Sequence, residues 1–130
     1  GRASRDAHVP DALVVVRAAR APYVFAYEID RGQESLREIR RKGQVTRALA
    51  QKAAPLYGYV AWRPVLLVPT LRRLRSCAQA LVEVGAGELW ALGLLDAVHT
   101  PDGPHYALAT AVISASNVEL ALVGRLLPGA

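Results

Sequence analysis

The chain has 130 residues, of which 52% are hydrophobic, so it is long enough for one domain with a real core and too apolar for disorder to be expected. A single cysteine, Cys77, excludes an internal disulfide and a cysteine-rich zinc site, and a cytoplasmic location is expected. The net charge of +5 is uneven: residues 1–75 hold 15 Lys and Arg against 6 Asp and Glu, whereas residues 76–130 hold 1 against 5. This asymmetry favours a polyanionic partner such as a nucleic acid.

The N-terminal segment carries little structural information. Residues 1–8 are polar and show no secretory signal, and the chain has no methionine, so we expect a flexible segment or a cloning scar on a fragment of a longer protein. Residues 9–130 are expected to form a single domain. No apolar run is long enough to span a membrane and no phosphate-binding glycine loop or dinucleotide motif is present, so neither a membrane nor a small-molecule cofactor is expected.

The first predicted elements are two strands, at residues 13–16 and 23–30, where β-branched and aromatic side chains predominate. Because alternate side chains of a strand share a face, Glu28 and Asp30 are expected on the same side of the sheet.

A basic helix is predicted next. Ser35 and Glu38 have the spacing of a capping box, and Pro55 ends a helix that reaches about residue 54. Gly43 is expected to weaken this helix by about 1 kcal/mol relative to alanine. The apolar side chains at helical spacing predict an inner stripe of Leu36, Ile39, Thr46, Leu49, Ala50 and Ala53.

The remaining pattern predicts a strand over 64–69, a helix over about 71–84 capped by Thr70, a strand over 88–99 and a further strand over 106–114 after a Pro-Asp-Gly-Pro turn. Residues 117–127 fit either a strand or a short helix. The chain is therefore predicted to be an α/β or α+β fold, with a mixed central sheet of about five strands flanked by helices.

Three carboxylates are predicted to meet at one end of this sheet. Asp11 opens the first strand and Glu28 and Asp30 end the second, so an antiparallel hairpin would bring them together. Clustered carboxylates repel one another unless a cation or a proton relieves them, and hard oxygen ligands suit Mg²⁺ or Mn²⁺. The alternative is that these are solvated acids at strand ends.

The same residues resemble a known superfamily. A Pro-Asp that opens one strand, here Pro10-Asp11, and an acidic pair that ends the next, here Glu28-Ile29-Asp30, are similar to the layout of the PD-(D/E)XK, restriction-endonuclease-like superfamily. The stretch over residues 27–35, Tyr-Glu-Ile-Asp-Arg-Gly-Gln-Glu-Ser, resembles the signature of the replication-relaxation family of bacterial plasmid and mobile-element proteins. The resemblance spans roughly residues 9–110 and includes the apolar strand from Pro64.

This resemblance implies roles for individual residues. Asp11 and Glu28 match the metal-binding acids, and Asp30, a third candidate ligand and catalytic residue, stands where the superfamily usually has lysine. Lys42 is the candidate for a catalytic lysine that has moved to the following helix; a plain surface lysine is the alternative. Glu34 would assist the metal through water or favour the start of the helix through its dipole.

The basic side chains are candidates for DNA contacts through phosphate oxygens. They are Arg31, Arg37, Arg40, Arg41, Arg47, Arg72, Arg73 and Arg75. Three functions are then open: a Mg²⁺-dependent nuclease or nickase domain of a plasmid or mobile-element replication protein, a non-catalytic DNA-binding or assembly module on the same fold, and a homodimer whose acidic half meets the basic half of its neighbour.

Overall fold

The computed structural model describes residues 10–17, 22–96 and 112–118, which form five strands and two helices. In chain order they are β1 (Ala12–Arg17), β2 (Pro22–Ile29), α1 (Leu36–Gln51), β3 (Ala61–Val68), α2 (Leu71–Glu83), β4 (Ala91–Leu94) and β5 (Val112–Ser114), with a short 3-10 turn at Ala115–Asn117. The predicted α+β class, the mixed sheet and the order of elements are confirmed. Within the described ranges, neither helix is long and apolar enough to cross a membrane.

The five strands form one sheet in the order β1-β2-β3-β4-β5. The β1–β2 and β4–β5 pairs are antiparallel, and the pairs β2–β3 and β3–β4 are parallel. The parallel pairs are joined by the crossover helices α1 and α2, and crossovers of this type are almost always right-handed. As a consequence the ends of β2, β3 and β4 and the beginning of β1 lie along the same edge of the sheet.

Both faces of the sheet carry buried side chains, although β1 is largely exposed, and the larger core lies on the face that carries the helices. There Leu66 and Val68 of β3 pack with Ile39 of α1 and with Leu74 and Leu81 of α2. The opposite face holds a second cluster formed by Tyr27, Val65, Leu67 and Ala91. Because Glu28 is in register with Leu66, its side chain is directed to the helix face of the sheet.

The capping predictions hold, but two details of α1 differ from expectation. Ser35 Oγ accepts the Glu38 N–H at 3.1 Å, as the capping box requires. The helix ends at Gln51 rather than near residue 54, because Ala53 adopts a left-handed backbone with φ of 52° and turns the chain away. Ala53 is accordingly exposed and not part of the inner stripe.

Gly43 is a site of close helix packing rather than a simple weak point. A Cβ at this position would lie 2.8 Å from Val84 Cγ2 and 3.2 Å from Ala86 Cβ. The missing side chain is therefore what allows α1 to approach the end of α2.

The strand predicted over 88–99 is shorter in the structure. Residues 87–89 form a turn in which the N–H groups of Leu89 and Trp90 both donate to the Ala86 carbonyl. β4 begins only at Ala91, and the buried Trp90 donates its indole N–H to Thr46 Oγ1 at 2.8 Å. The predicted strand over 106–114 is described only as β5 at 112–114; the rest of it, the turn before it and residues 119–130 lie outside the described residues.

Candidate active site

The predicted hairpin brings Asp11 to the end of β2. Its backbone N–H donates to the Tyr27 carbonyl at 2.9 Å, and its carboxylate Oδ2 accepts the Ile29 N–H at 2.6 Å. The side chain remains exposed to solvent. Asp11 thus lies beside the strand that carries Glu28 and Asp30, as the antiparallel arrangement predicts.

Glu28 faces Lys42 across the gap between β2 and α1. Lys42 Nζ lies 2.7 Å from Glu28 Oε1 and 2.6 Å from Glu34 Oε1, so one ammonium bridges two carboxylates. Only 12% of the Lys42 side chain and 11% of the Glu28 side chain are exposed. Lys42 is therefore no plain surface lysine, because its charge is held inside the fold against two acids.

Burial and the two neighbouring acids have opposite effects on the pKa of Lys42. Burial is the largest single influence and lowers the pKa of the ammonium group. Hydrogen bonds and charges from Glu28 and Glu34 act in the opposite direction and together leave the pKa above its ordinary value. Lys42 is thus positively charged at neutral pH and able to face a phosphate or a developing anion.

Asp30, two residues further along the same face, has a different set of partners. Its Oδ1 accepts the Gly32 N–H at 3.0 Å, and its Oδ2 accepts Arg73 Nε at 2.6 Å. Arg73 also donates from Nη2 to the Glu34 backbone carbonyl. The Asp30 side chain is 1% exposed, so both of its oxygens are satisfied within the fold.

The three predicted ligands do not form a compact metal cluster. Across residues 10–17, 22–96 and 112–118, no three or more His, Cys, Asp or Glu side chains lie close enough together to hold one ion. Mg²⁺ nevertheless binds many enzymes through one or two carboxylates plus substrate phosphates. The exposed carboxylate of Asp11 and that of Glu28 at the same strand end suit such a two-acid arrangement by their chemistry, and metal binding by Asp11, Glu28 and Asp30 stays a prediction.

Tyr57 is a further residue that is influenced by Glu28. It lies in a tight two-residue turn in which Leu56 and Tyr59 exchange backbone hydrogen bonds of 3.0 and 2.9 Å. Tyr57 has a φ of 51°, a conformation that favours glycine or asparagine, and Gly58 follows with a φ of 82°. Burial first and the negative charge of Glu28 second raise the pKa of its phenol to about 12.

The predicted DNA-binding arginines divide into three groups. Arg40 and Arg41 point outward but pair with Glu83 and Glu38, at 3.0 and 2.5 Å. Arg73 points inward to Asp30. The other five are exposed, and of these Arg72 and Arg75 line a shallow groove on α2 together with Ser76 and Gln79. The exposed group consists of Arg31, Arg37, Arg47, Arg72 and Arg75.

Sequence reasoning missed the inward direction of Arg73 and the electrostatic influence of Glu28 on Tyr57. A signal for Arg73 was present, because parallel strands end at the same edge and α2 begins three residues after β3. Its first turn must therefore lie near the end of β2. No comparable pattern marks Tyr57, since a tyrosine at a left-handed turn position follows no common turn motif.

Comparisons with known proteins add no assignment to this geometry. The chain matches no protein-family model, no curated protein and no solved structure.

Proposed function

We propose that this chain is a DNA-handling domain with a restriction-endonuclease-like core, which nicks or cleaves a DNA strand with the help of Mg²⁺ or Mn²⁺. The single observation that carries the proposal is the Lys42 ammonium, held 2.7 Å from Glu28 by the helix that follows the acidic strand. The β1–β2 hairpin, which brings Asp11 to the same strand end, supports it. By its resemblance to the replication-relaxation family, the domain would belong to a plasmid or mobile-element replication protein.

The acids and the lysine would have separate tasks in this reaction. Asp11 and Glu28 would hold the cation, which when bound supplies Lewis-acid stabilisation of the charge on the scissile phosphate. Lys42 has three N–H donors, and its contacts with Glu28 and Glu34 account for two of them. The third would donate to a non-bridging phosphate oxygen, where negative charge accumulates as water adds to phosphorus and a P–O bond breaks.

Basic side chains near this edge would hold the DNA backbone. Arg72 and Arg75 on the exposed groove of α2, Arg31 in the segment before α1 and Arg37 in its first turn offer positive charge around the site. Contacts of this kind position a duplex but do not read its bases. We therefore expect little sequence specificity from this domain.

A second candidate function, DNA binding without cleavage, is favoured by the ion pairs themselves. Glu28 and Asp30 are each neutralised by a basic side chain, and no cluster of three ligands occurs in the part of the chain that the structure describes. A domain in which Lys42 and Arg73 neutralise these acids in place of a metal ion would still bind DNA through its basic surface but would not cleave it.

Nicking of supercoiled plasmid in Mg²⁺ or Mn²⁺ separates the two functions. We expect the wild-type chain to nick, and Asp11→Asn, Glu28→Gln and Lys42→Met to lower the rate by about a hundredfold or more, as loss of one electrostatic group does in other enzymes. Glu83→Gln is the matched control, because it makes the same change in an exposed acid far along α2. If no metal supports nicking while all variants still bind DNA, the second function replaces the first.

A further inference from the structure

Arg73 joins three parts of the molecule that are distant in sequence. From the first turn of α2 its Nε donates to Asp30 at the end of β2, at 2.6 Å, and its Nη2 donates to the Glu34 carbonyl in the segment that leads into α1. Asp30 in turn accepts the Gly32 N–H at 3.0 Å. We call these four contacting residues, Asp30, Gly32, Glu34 and Arg73, the clasp.

The burial of the clasp separates it from the DNA-binding surface. Asp30 is 1% exposed, the Arg73 side chain is 17% exposed, and the guanidinium is already directed to protein acceptors. Its neighbours Arg72 and Arg75, in contrast, are exposed. Pulling Arg73 out to a phosphate would leave the carboxylate of Asp30 buried without its cation, which is costly.

The clasp closes over a segment that has little other support. Residues 31–33 are exposed, and Gly32 has a φ of 84°, which glycine adopts without strain. Because glycine lacks a Cβ, it also has more conformational freedom to lose when this segment becomes ordered. Glu34, held by its carbonyl to Arg73, places its carboxylate 2.6 Å from Lys42 Nζ. The position of Glu34 against Lys42 therefore depends on the clasp.

We propose that Asp30 and Arg73 are positioning residues, which order the segment between β2 and α1 so that Glu34 fixes the Lys42 ammonium beside Glu28. This rests on the proposed function only in the use made of Lys42. It gives Asp30 a role other than metal ligand and Arg73 a role other than DNA contact. The clasp acts on the reacting phosphate through Lys42 and does not touch it.

Acylation of the lysines measures this order without any need for catalysis. The chain contains two lysines, Lys42 and the exposed Lys52, so the rate at Lys52 is an internal reference within each sample. Trace labelling with an acetylating reagent at neutral pH, read by peptide mass spectrometry, gives the ratio of the two rates. A loosened segment exposes Lys42 and raises that ratio.

Two variants loosen the clasp in different ways. Arg73→Lys keeps a charge for Asp30 but loses the planar fork that reaches Glu34, and the pair Asp30→Asn, Arg73→Gln removes both charges so that neither is left buried alone. We expect each to raise the Lys42 to Lys52 ratio about fivefold, the effect of losing one ordinary hydrogen bond from a closed segment. Arg40→Lys, the same change in an exposed ion pair, is the matched control and leaves the ratio unchanged. An unchanged ratio in both clasp variants, with folding verified by circular dichroism, overturns the proposal.

A second measurement tests Arg73 against the DNA-contact alternative. The slope of log affinity against log salt concentration falls by about one when a phosphate-contacting arginine is removed. We expect the pair Asp30→Asn, Arg73→Gln, which removes the cation without leaving a buried charge alone, to keep the slope unchanged, whereas Arg72→Gln lowers it. A lowered slope for the clasp variant would place Arg73 on the DNA and contradict the proposal. If the wild-type chain nicks no plasmid but the acylation result holds, the clasp stands and the nuclease function fails.

Discussion

Two groups of ion pairs, formed by basic side chains of the same two helices, have similar N–O distances but differ greatly in their exposure to solvent. The inner network, made by Glu28, Asp30, Glu34, Lys42 and Arg73, has N–O distances of 2.6–2.7 Å and side chains between 1% and 26% exposed. The outer pairs, Arg40–Glu83 and Arg41–Glu38, have distances of 3.0 and 2.5 Å, and their side chains are 39–56% exposed. Distance alone does not distinguish these groups. Burial does, because a buried charge that loses its partner cannot be solvated by water.

The largest expected effect comes from removing one acid of the inner network. Asp30→Ala leaves the Arg73 guanidinium without its carboxylate, and we expect the free energy of unfolding in urea to fall by about 3–5 kcal/mol. Glu83→Ala breaks an outer pair and should cost less than about 1 kcal/mol. Equal losses in the two variants would show that burial does not separate the two groups.

A pH titration sharpens the same comparison through Cys77, whose sulfur lies 4.0 Å from Asp30 Oδ2. Burial, the largest influence, raises the pKa of this thiol from 9.0 to about 11, against a smaller lowering by Arg73. The unfolded thiol loses its proton near pH 9 while the folded thiol keeps it. The folded state therefore binds more protons between pH 9 and 11. The contribution of the Cys77 thiol to the free energy of unfolding is fully present below pH 9 and is lost as the pH rises through that window, by about 2–3 kcal/mol.

Urea unfolding at intervals from pH 8 to 11 checks this expectation. Cys77→Ala lacks the thiol, so its free energy of unfolding should decline less steeply than that of the wild type over the window. Parallel curves for the two proteins would mean that the thiol is no more protected in the folded chain than in the unfolded one.

The smallest expected effect concerns DNA affinity at the outer surface. Arg40 faces Glu83, which offsets its charge, whereas Arg72 has no ion pair within the described residues. We expect Arg72→Gln to lower the salt slope of DNA binding by about one, and Arg40→Gln to lower it by less than half as much. Fluorescence anisotropy with a labelled duplex at several salt concentrations measures both, and identical changes would remove the distinction between the paired and the unpaired arginine.

Local signals predicted much of the fold. The β-branched runs gave β1 and β2, the Ser35 and Thr70 caps gave the beginnings of both helices, and strand alternation gave the common face of Glu28 and Asp30. These features depend on a few neighbouring residues. Gly43 shows where local prediction fails. A glycine within a helix is expected to be unfavourable, and only the packing of α1 against the end of α2 explains why no larger side chain fits there.

The candidate site was predicted only in part for the same reason. Asp11, Glu28 and Lys42 follow from one hairpin and the helix after it. The direction of Arg73 depends on a contact between residues 43 apart in sequence, so its only signal is the parallel order of the strands, and no pattern of neighbouring residues shows it. All the arginines in the first turns of α2 were therefore predicted to contact DNA, although Arg73 is directed into the fold.

The sequence separations of these contacts have a consequence for when the site becomes ordered. Glu28 and Lys42 are 14 residues apart, so a chain that has formed only β2 and α1 is able to join them. Asp30 and Arg73 are 43 apart, and closing that longer loop costs about 1 kcal/mol more in chain entropy. The segment between β2 and α1 is thus secured only after β3 and α2 have docked, and a partly folded chain would bring acid and lysine together without holding them in place.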